Sequence, residues 1–322
     1  MAVTGIFLES NDTQIVKDKV KATNTTKAHP DIGCDSIGIF SHLNYAITDR
    51  FSVLAGLRYD KVELEYRDAG NNLSIDSTEN EVSPKVGITY ALFDNINTYA
   101  TISKGYRSGG FNNWKSDEYS QTYDPETLYS YEIGVKGVSF DGKLIWDTSL
   151  YYMDITDMQV DVYLDASTTY KTNAAEATSM GVEASLRYQV ARGLNLFAGF
   201  SYNNTEFDEY NNGFTDYSGK KTTFSPEYNY NFGVQYRADQ GYYASADISG
   251  YGDMYLDTDN EYKRPAYEVV NAKIGYEAEN FDIYLYAKNL FDREYDIEGH
   301  YYGVYSYYSQ PREIGMSLTY RF

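Results

Sequence analysis

The chain has 322 residues, a net charge of −20 at pH 7 and a mean hydropathy of −0.55, enough length for a large core or for more than one domain. The charge argues against nucleic acid, whose phosphates need a basic footprint, and no run approaches the roughly 18 apolar residues of a spanning helix. A single cysteine, Cys34, excludes an intramolecular disulfide and a thiolate zinc site.

The first segment, MAVTGIFLES, has no basic start, long apolar stretch or small-residue cleavage site. The chain is therefore expected to be mature or truncated, or else not exported. From there a two-residue alternation recurs. In RFSVLAGLRYD, Phe51, Val53, Ala55, Leu57 and Tyr59 oppose Ser52, Gly56, Arg58 and Asp60. In GLNLFAGFSYN, Leu194, Leu196, Ala198, Phe200 and Tyr202 oppose Asn195, Gly199, Ser201 and Asn203. PEYNYNFGVQYR and YEVVNAKIGYE repeat the pattern, the latter with Ile274 opposite Lys273. At the end, PREIGMSLTYRF sets Ile314, Met316, Leu318, Tyr320 and Phe322 against Ser317, Thr319 and Arg321. This is the period of β-strands with one apolar and one polar face.

Pairs of turn-forming residues close tight hairpins at Asp49-Arg50, Asp94-Asn95, Asp141-Gly142, Arg192-Gly193, Gln240-Gly241 and Glu279-Asn280. Long polar connections alternate with them, at roughly 11–34, 69–79, 109–127, 157–176, 206–224, 253–264 and 292–310. About fourteen strands result, several long enough to cross a tilted bilayer span. Tight turns at one rim and long loops at the other predict an all-β, up-and-down antiparallel transmembrane barrel of the outer membrane. The apolar face would meet lipid, with an aromatic girdle at Tyr59, Tyr90, Tyr99, Tyr202, Tyr236, Tyr320 and Phe322. The alternative is a large soluble all-β protein. No linker-like run divides the chain, so residues 1–322 are read as one barrel domain.

Five blocks, in order, resemble the barrel of TonB-dependent receptors: NEVSPKVGITYALFDNINTYATISKGYRSGGFN, DPETLYSYEIGVKG, NAAEATSMGVEASLRY, AKNLFDREYD and PREIGMSLTYRF. The resemblance runs from about Ile37 to Phe322, and its nearest character is that of the ferric-siderophore branch. It implies the last fourteen strands of a 22-stranded barrel in the outer membrane of a Gram-negative bacterium, surrounded by lipid and lipopolysaccharide. The plug domain and energy-coupling box of the family have no counterpart here, so a fragment of a longer receptor is expected, in preference to a smaller barrel closed on itself. The resemblance also implies a ferric siderophore as ligand and an inner-membrane energy-coupling protein as partner of the intact receptor. Phe322 would be the terminal aromatic read by the barrel-assembly machinery.

Candidate ligand residues lie in two predicted outer segments. KGYRSGGFNNWK offers Arg107, Phe111, Trp114 and Lys115, a cation among aromatics that suits an anionic iron chelate. HYYGVYSYYSQ offers Tyr301, Tyr302 and Tyr305, with large rigid contact areas and hydroxyls; an interfacial belt is the competing reading. His29, His42 and His300 share no metal-ligand spacing, and Asp257, Asp259 and Glu261 read as a solvated acidic loop. No nucleophile elbow is present, so no enzyme, cofactor or metal is expected. Two other functions stay open: a passive pore without a plug, and a surface-binding barrel of adhesion type.

Overall fold

The computed structural model describes residues 1–15, 17–21, 24–28, 30–112, 119–165, 168–300 and 305–322. Fourteen strands form one sheet: β1 (Ala2–Gln14), β2 (Asp31–Ala46), β3 (Phe51–Asp68), β4 (Leu73–Phe93), β5 (Ile96–Arg107), β6 (Glu126–Ser139), β7 (Leu144–Asp165), β8 (Thr168–Ala191), β9 (Leu194–Tyr210), β10 (Tyr228–Arg237), β11 (Tyr242–Tyr251), β12 (Tyr267–Glu277), β13 (Phe281–Lys288) and β14 (Glu313–Tyr320). Each strand pairs antiparallel with its neighbour in sequence, which is the expected up-and-down order. Among the described residues, β1 and β14 do not pair with each other.

All six tight turns fall where the sequence placed them, at one end of the sheet. Three carry a left-handed glycine, Gly142 (φ +86°) among them. Gly193 (φ +75°) and Gly241 (φ +91°) adopt the left-handed region, and a Cβ on either would stand 2.1 or 2.2 Å from the carbonyl oxygen of Arg237 or Glu277.

The other end departs from expectation. Strands β3 and β4 run on to Asp68 and from Leu73, so the predicted loop at 69–79 is a connection of residues 69–72. Likewise β7 and β8 consume most of 157–176. The physical cause lies in the side chains. Along β3 the outward face is Val53, Ala55, Leu57 and Tyr59, then Lys61, Glu63, Glu65 and Arg67. The inward face is Ser52, Leu54, Gly56, Arg58 and Asp60, then Val62, Leu64 and Tyr66, the last three buried. Apolar and polar faces thus exchange between residues 60 and 62. Strand β4 makes the same exchange at the paired position, from Val82 to Asn80. In β9 the outward Phe200 and Tyr202 give way to Asn204 and Glu206, while Phe207 turns inward. At the crossover Tyr59 donates its hydroxyl to Asn80 Oδ1 at 2.7 Å. An apolar face can look outward only into lipid. Beyond the rim the same face meets water, and the apolar side chains must turn inward to be buried.

The register places Phe51, Leu57, Leu196, Phe200, Ile274 and Leu318 on one face and Arg58, Asn195, Asn203, Lys273 and Arg321 on the other. On the outward face, aromatics cluster at both rims, for example Tyr131 against Tyr152 and Tyr242 against Tyr276. Tyr99 corrects the expected girdle. It faces inward, opposite Gly134, with its hydroxyl on Glu132 and the Lys136 ammonium over its ring. The inward wall is otherwise a lattice of ion pairs and amides: Arg58–Asp60, Lys104–Glu81, Arg237–Glu277 and Asn271–Asp247. Lys273 lies between the rings of Tyr243 and Tyr284.

Two measurements check this arrangement. Spin labels at 55 and 57 should contact lipid, while labels at 63 and 65, on the same face, should contact water. Leu318→Arg should impair assembly, by about 2–4 kcal/mol for a cation at mid-bilayer, and Ser317→Arg, one residue away on the inward face, should be tolerated. The opposite result for either pair would mean a register shifted by one residue.

Candidate ligand site at the long-loop mouth

The inward face of the strand extensions carries two small apolar cores, and each captures a loop. Val62, Leu64 and Tyr66 receive Phe111 from residues 108–125, with the Tyr66 and Phe111 rings 5.4 Å apart. Val160, Ala175, Ala177, Phe207 and Tyr210 receive Tyr217 from residues 211–227, and the Tyr210 and Tyr217 rings are 4.9 Å apart. Burial pushes both the Tyr66 and Tyr210 phenols upward, Tyr66 to about 12. A tyrosine is neutral at physiological pH in any case, so both can be buried without the cost of a charge.

Side-chain amides then fix the first loop in place. Asn112 donates Nδ2 to the carbonyls of Ser120 and Lys171, and its Oδ1 accepts from Lys171 N at 2.7 Å. Gln159 donates Nε2 to the carbonyls of Ser108 and Asp124. Asn173 donates to the carbonyls of Asp124 and Asp157 and accepts from Asp124 N. On the opposite flank Gly109 N donates to Glu79 Oε1 at 3.0 Å. The loop thus bridges from β4 to β8 across β5, β6 and β7. An amide carries both donors and acceptors and no charge, so it can replace backbone partners in a segment that has left the sheet.

The next loops interlock in the same way. Asn260 Nδ2 donates to Lys221 O at 3.0 Å and Lys221 N donates to Asn260 Oδ1 at 2.7 Å, tying 252–266 to 211–227. Asp257 accepts from the backbone of Glu261 and Tyr262. It is therefore the pivot of a turn rather than simply a solvated acid.

The candidate residues divide accordingly. Arg107 is exposed at the end of β5, paired with Glu126. Burial raises the Tyr123 phenol, and the Arg107 charge works against that rise. Phe111 is only 8% exposed and packs beneath the loop, so the sequence reading of it as a ligand-facing aromatic is corrected to that of a loop anchor. Tyr305 begins a short strand, Tyr305–Tyr308, that pairs with Asp296–His300. Trp114, Lys115, Tyr301, Tyr302 and His29 lie outside the described residues. His42 points to the inward face, opposite Gly56. Phe322 is fully exposed, with its ring edge-on to Tyr320. Sequence reasoning missed Asn112, Gln159, Asn173 and Glu79. Each acts on a partner 8 to 59 residues away, and no local pattern marks them.

Glu79 is the group here most open to titration. Its second carboxylate oxygen is buried with no hydrogen-bond partner. Burial raises its pKa above the usual carboxylate range, the Gly109 N–H opposes this, and Glu81 and Asp124 add to it. The folded value exceeds the unfolded one, so the contribution to loop docking is present at low pH and lost as pH rises through the folded value. Hydrogen exchange at Gly109 to Asn112 and at Tyr119 to Tyr123, corrected for its intrinsic pH dependence, should show protection falling across that interval. Glu79→Gln should flatten the profile; an unchanged slope in that variant would assign the effect to another group.

Residues 7–290 match the family model TonB dependent receptor-like, beta-barrel. The pesticin receptor of Yersinia pestis is 26% identical over 88% of this chain and 42% of its own length. The ferric-pyoverdine BN7/BN8 receptor of Pseudomonas putida is 25% identical over 98% of this chain and 36% of its own. The chain thus spans less than half the length of these curated relatives. The crystal structure of the ferric yersiniabactin uptake receptor FyuA from Yersinia pestis superposes with a TM-score of 0.84 at 22% identity, over 98% of this chain and 50% of that one. The copper transporter OprC superposes with a TM-score of 0.76 at 16% identity, over 100% of this chain and 54% of that one. A fourteen-stranded meander with an outward lipid face, a polar inward wall and loops folded into one mouth is an outer-membrane barrel, and this chain belongs to the TonB-dependent receptor-like β-barrel family.

Proposed function

We propose that this chain is the barrel portion of an outer-membrane receptor that binds a ferric siderophore at its long-loop mouth and passes it inward with energy from an inner-membrane coupling protein. The observation that carries the reading is the folding of the long loops onto the inward face of the strand extensions. Loops that dock inward form a fixed, concave vestibule over the lumen, whereas an adhesive surface would project them outward. The relative described as a ferric-pyoverdine receptor supports the same class of ligand.

In this reading Arg107, Trp114, Tyr301, Tyr302 and Tyr305 supply contacts to the chelate, and Phe111 anchors the loop that follows Arg107. Residues 1–322 act as one barrel domain. Strands β1 and β14 each leave a row of backbone groups that lipid cannot satisfy, so further strands cover both edges in a larger barrel. A separate plug closes the lumen and contacts the coupling protein. Phe322 is the mark read by the barrel-assembly machinery, and lipopolysaccharide surrounds the outer rim.

Uptake of radiolabelled ferric siderophore, in cells whose only such receptor carries this barrel, tests the proposal. Accumulation should saturate and should be abolished by a protonophore. Uptake that is unsaturable and indifferent to the protonophore would identify a passive pore instead. Arg107→Ala should weaken binding with assembly unchanged, as judged by heat-modifiable mobility of the folded barrel.

A further inference from the structure

The alternation of faces fixes the pairing of two strands only to within two residues. A slip of one turns the lipid face inward, but a slip of two keeps every apolar side chain outward. Where two strands meet at a tight turn, the turn removes this ambiguity. Pairs joined through long outer connections lack that device: β1–β2 across 15–30, β5–β6 across 108–125, β9–β10 across 211–227, β11–β12 across 252–266 and β13–β14 across 289–312.

In each of these five pairs an inward phenylalanine or tyrosine stands directly opposite a glycine. Phe40 opposes Gly5, Tyr99 opposes Gly134 and Phe197 opposes Gly233. Tyr243 opposes Gly275, and Tyr286 opposes Gly315. In four of the five the ring lies over the glycine itself, where a Cβ would stand 2.0 to 2.5 Å from the ring Cζ. Over Gly275 that space is filled by the Tyr284 ring, edge-on to Tyr243 at 5.5 Å. Two hydroxyls also reach a glutamate two residues along the glycine's strand, Tyr99 to Glu132 and Tyr286 to Glu313, the latter at 3.0 Å.

The remaining pairs divide by the same criterion. Strands β3 and β4 close through residues 69–72 in an unbroken ladder, and no inward ring there opposes a glycine. Strand β7 ends at Asp165 and β8 begins at Thr168, but their register shifts between Ile155 and Gln159; on the bilayer side of that shift Tyr151 opposes Gly181. Of the six tight-turn pairs, only β12–β13 has such an inward pair, Tyr284 on the same Gly275. On the outward face Trp146–Gly137 and Tyr230–Gly250 make the contact across tight turns, among lipid-facing rings.

We propose that the inward ring–glycine pairs are register locks, which set strand pairing wherever no turn sets it. Lipid selects the face, and the lock selects one register among those that share the face. Glycine is the residue over which a ring can lie flat against the wall. A slip of two would bring Tyr286 opposite Glu313 or Ser317, and Phe197 opposite Asn231 or Gln235, where a side chain stands in the ring's place.

The test reads register directly, by copper–phenanthroline oxidation of outer-membrane vesicles carrying the protein with Cys34→Ser. Ile283→Cys with Leu318→Cys, direct partners on β13 and β14, should form a disulfide. Ile283→Cys with Met316→Cys or Tyr320→Cys should not. Adding Tyr286→Leu should shift cross-linking from the native pair to the slipped ones, and Tyr286→Phe should keep the native pair because the ring remains. Phe197→Leu should do the same on β9 and β10, moving the cross-link of Leu196→Cys from Val234→Cys to Phe232→Cys or Tyr236→Cys. Tyr284→Leu should leave the Ile274→Cys and Leu285→Cys cross-link unchanged, since the turn at Glu279-Asn280 sets that register. A leucine variant that does not assemble in cells is read through the same pairs after refolding from urea into detergent. A single native register in Tyr286→Leu and Phe197→Leu would overturn the locks, as would slippage in Tyr284→Leu.

Discussion

Hydrocarbon has no hydrogen-bonding capacity, so every backbone group that enters it must find its partner within the protein. That constraint organises this chain. Each strand between β1 and β14 is paired on both sides, each neighbour in sequence is a neighbour in space, and six connections at one rim are tight hairpin turns. Meander order follows directly, because a long crossover would carry unpaired backbone through lipid.

The same solvent explains the exchange of faces. Within the bilayer the outward side chains are the apolar ones and the inward wall is an ion-pair and amide lattice. Where β3, β4 and β9 leave the bilayer the pattern inverts within two residues. The inversion has a structural consequence: it creates apolar inward patches above the rim, and these are what the loops bury. A strand extension that kept its lipid-facing pattern would have exposed Val62, Leu64 and Tyr66 to water and left Phe111 without a seat. The mouth is therefore a product of where the membrane ends.

Polar groups complete the mouth. Apolar anchors hold loops at points, but they do not orient a backbone. Asn112, Gln159, Asn173 and Asn260 do so by replacing the lost ladder with paired donors and acceptors. A fixed vestibule costs less ordering when a ligand arrives than a set of free loops would.

By itself the sequence determined the strand period, the six tight turns, the lipid-facing register and the asymmetry of the two rims. These are local properties: each follows from residues two to four apart, read against a solvent. It also marked Arg107 and the tyrosine-rich last loop as notable, but it misassigned Tyr99 and Phe111, since an aromatic in an alternating strand or a polar loop looks the same whether it faces out or in. It placed loops at 69–79 and 157–176 because a polar outward face above the membrane resembles a polar loop. Only the tertiary structure decided which loops fold inward and that Glu79 lies under Gly109. Those contacts join residues far apart in the chain, and their partners are chosen by shape and burial above the rim, where no repeating pattern constrains the side chains.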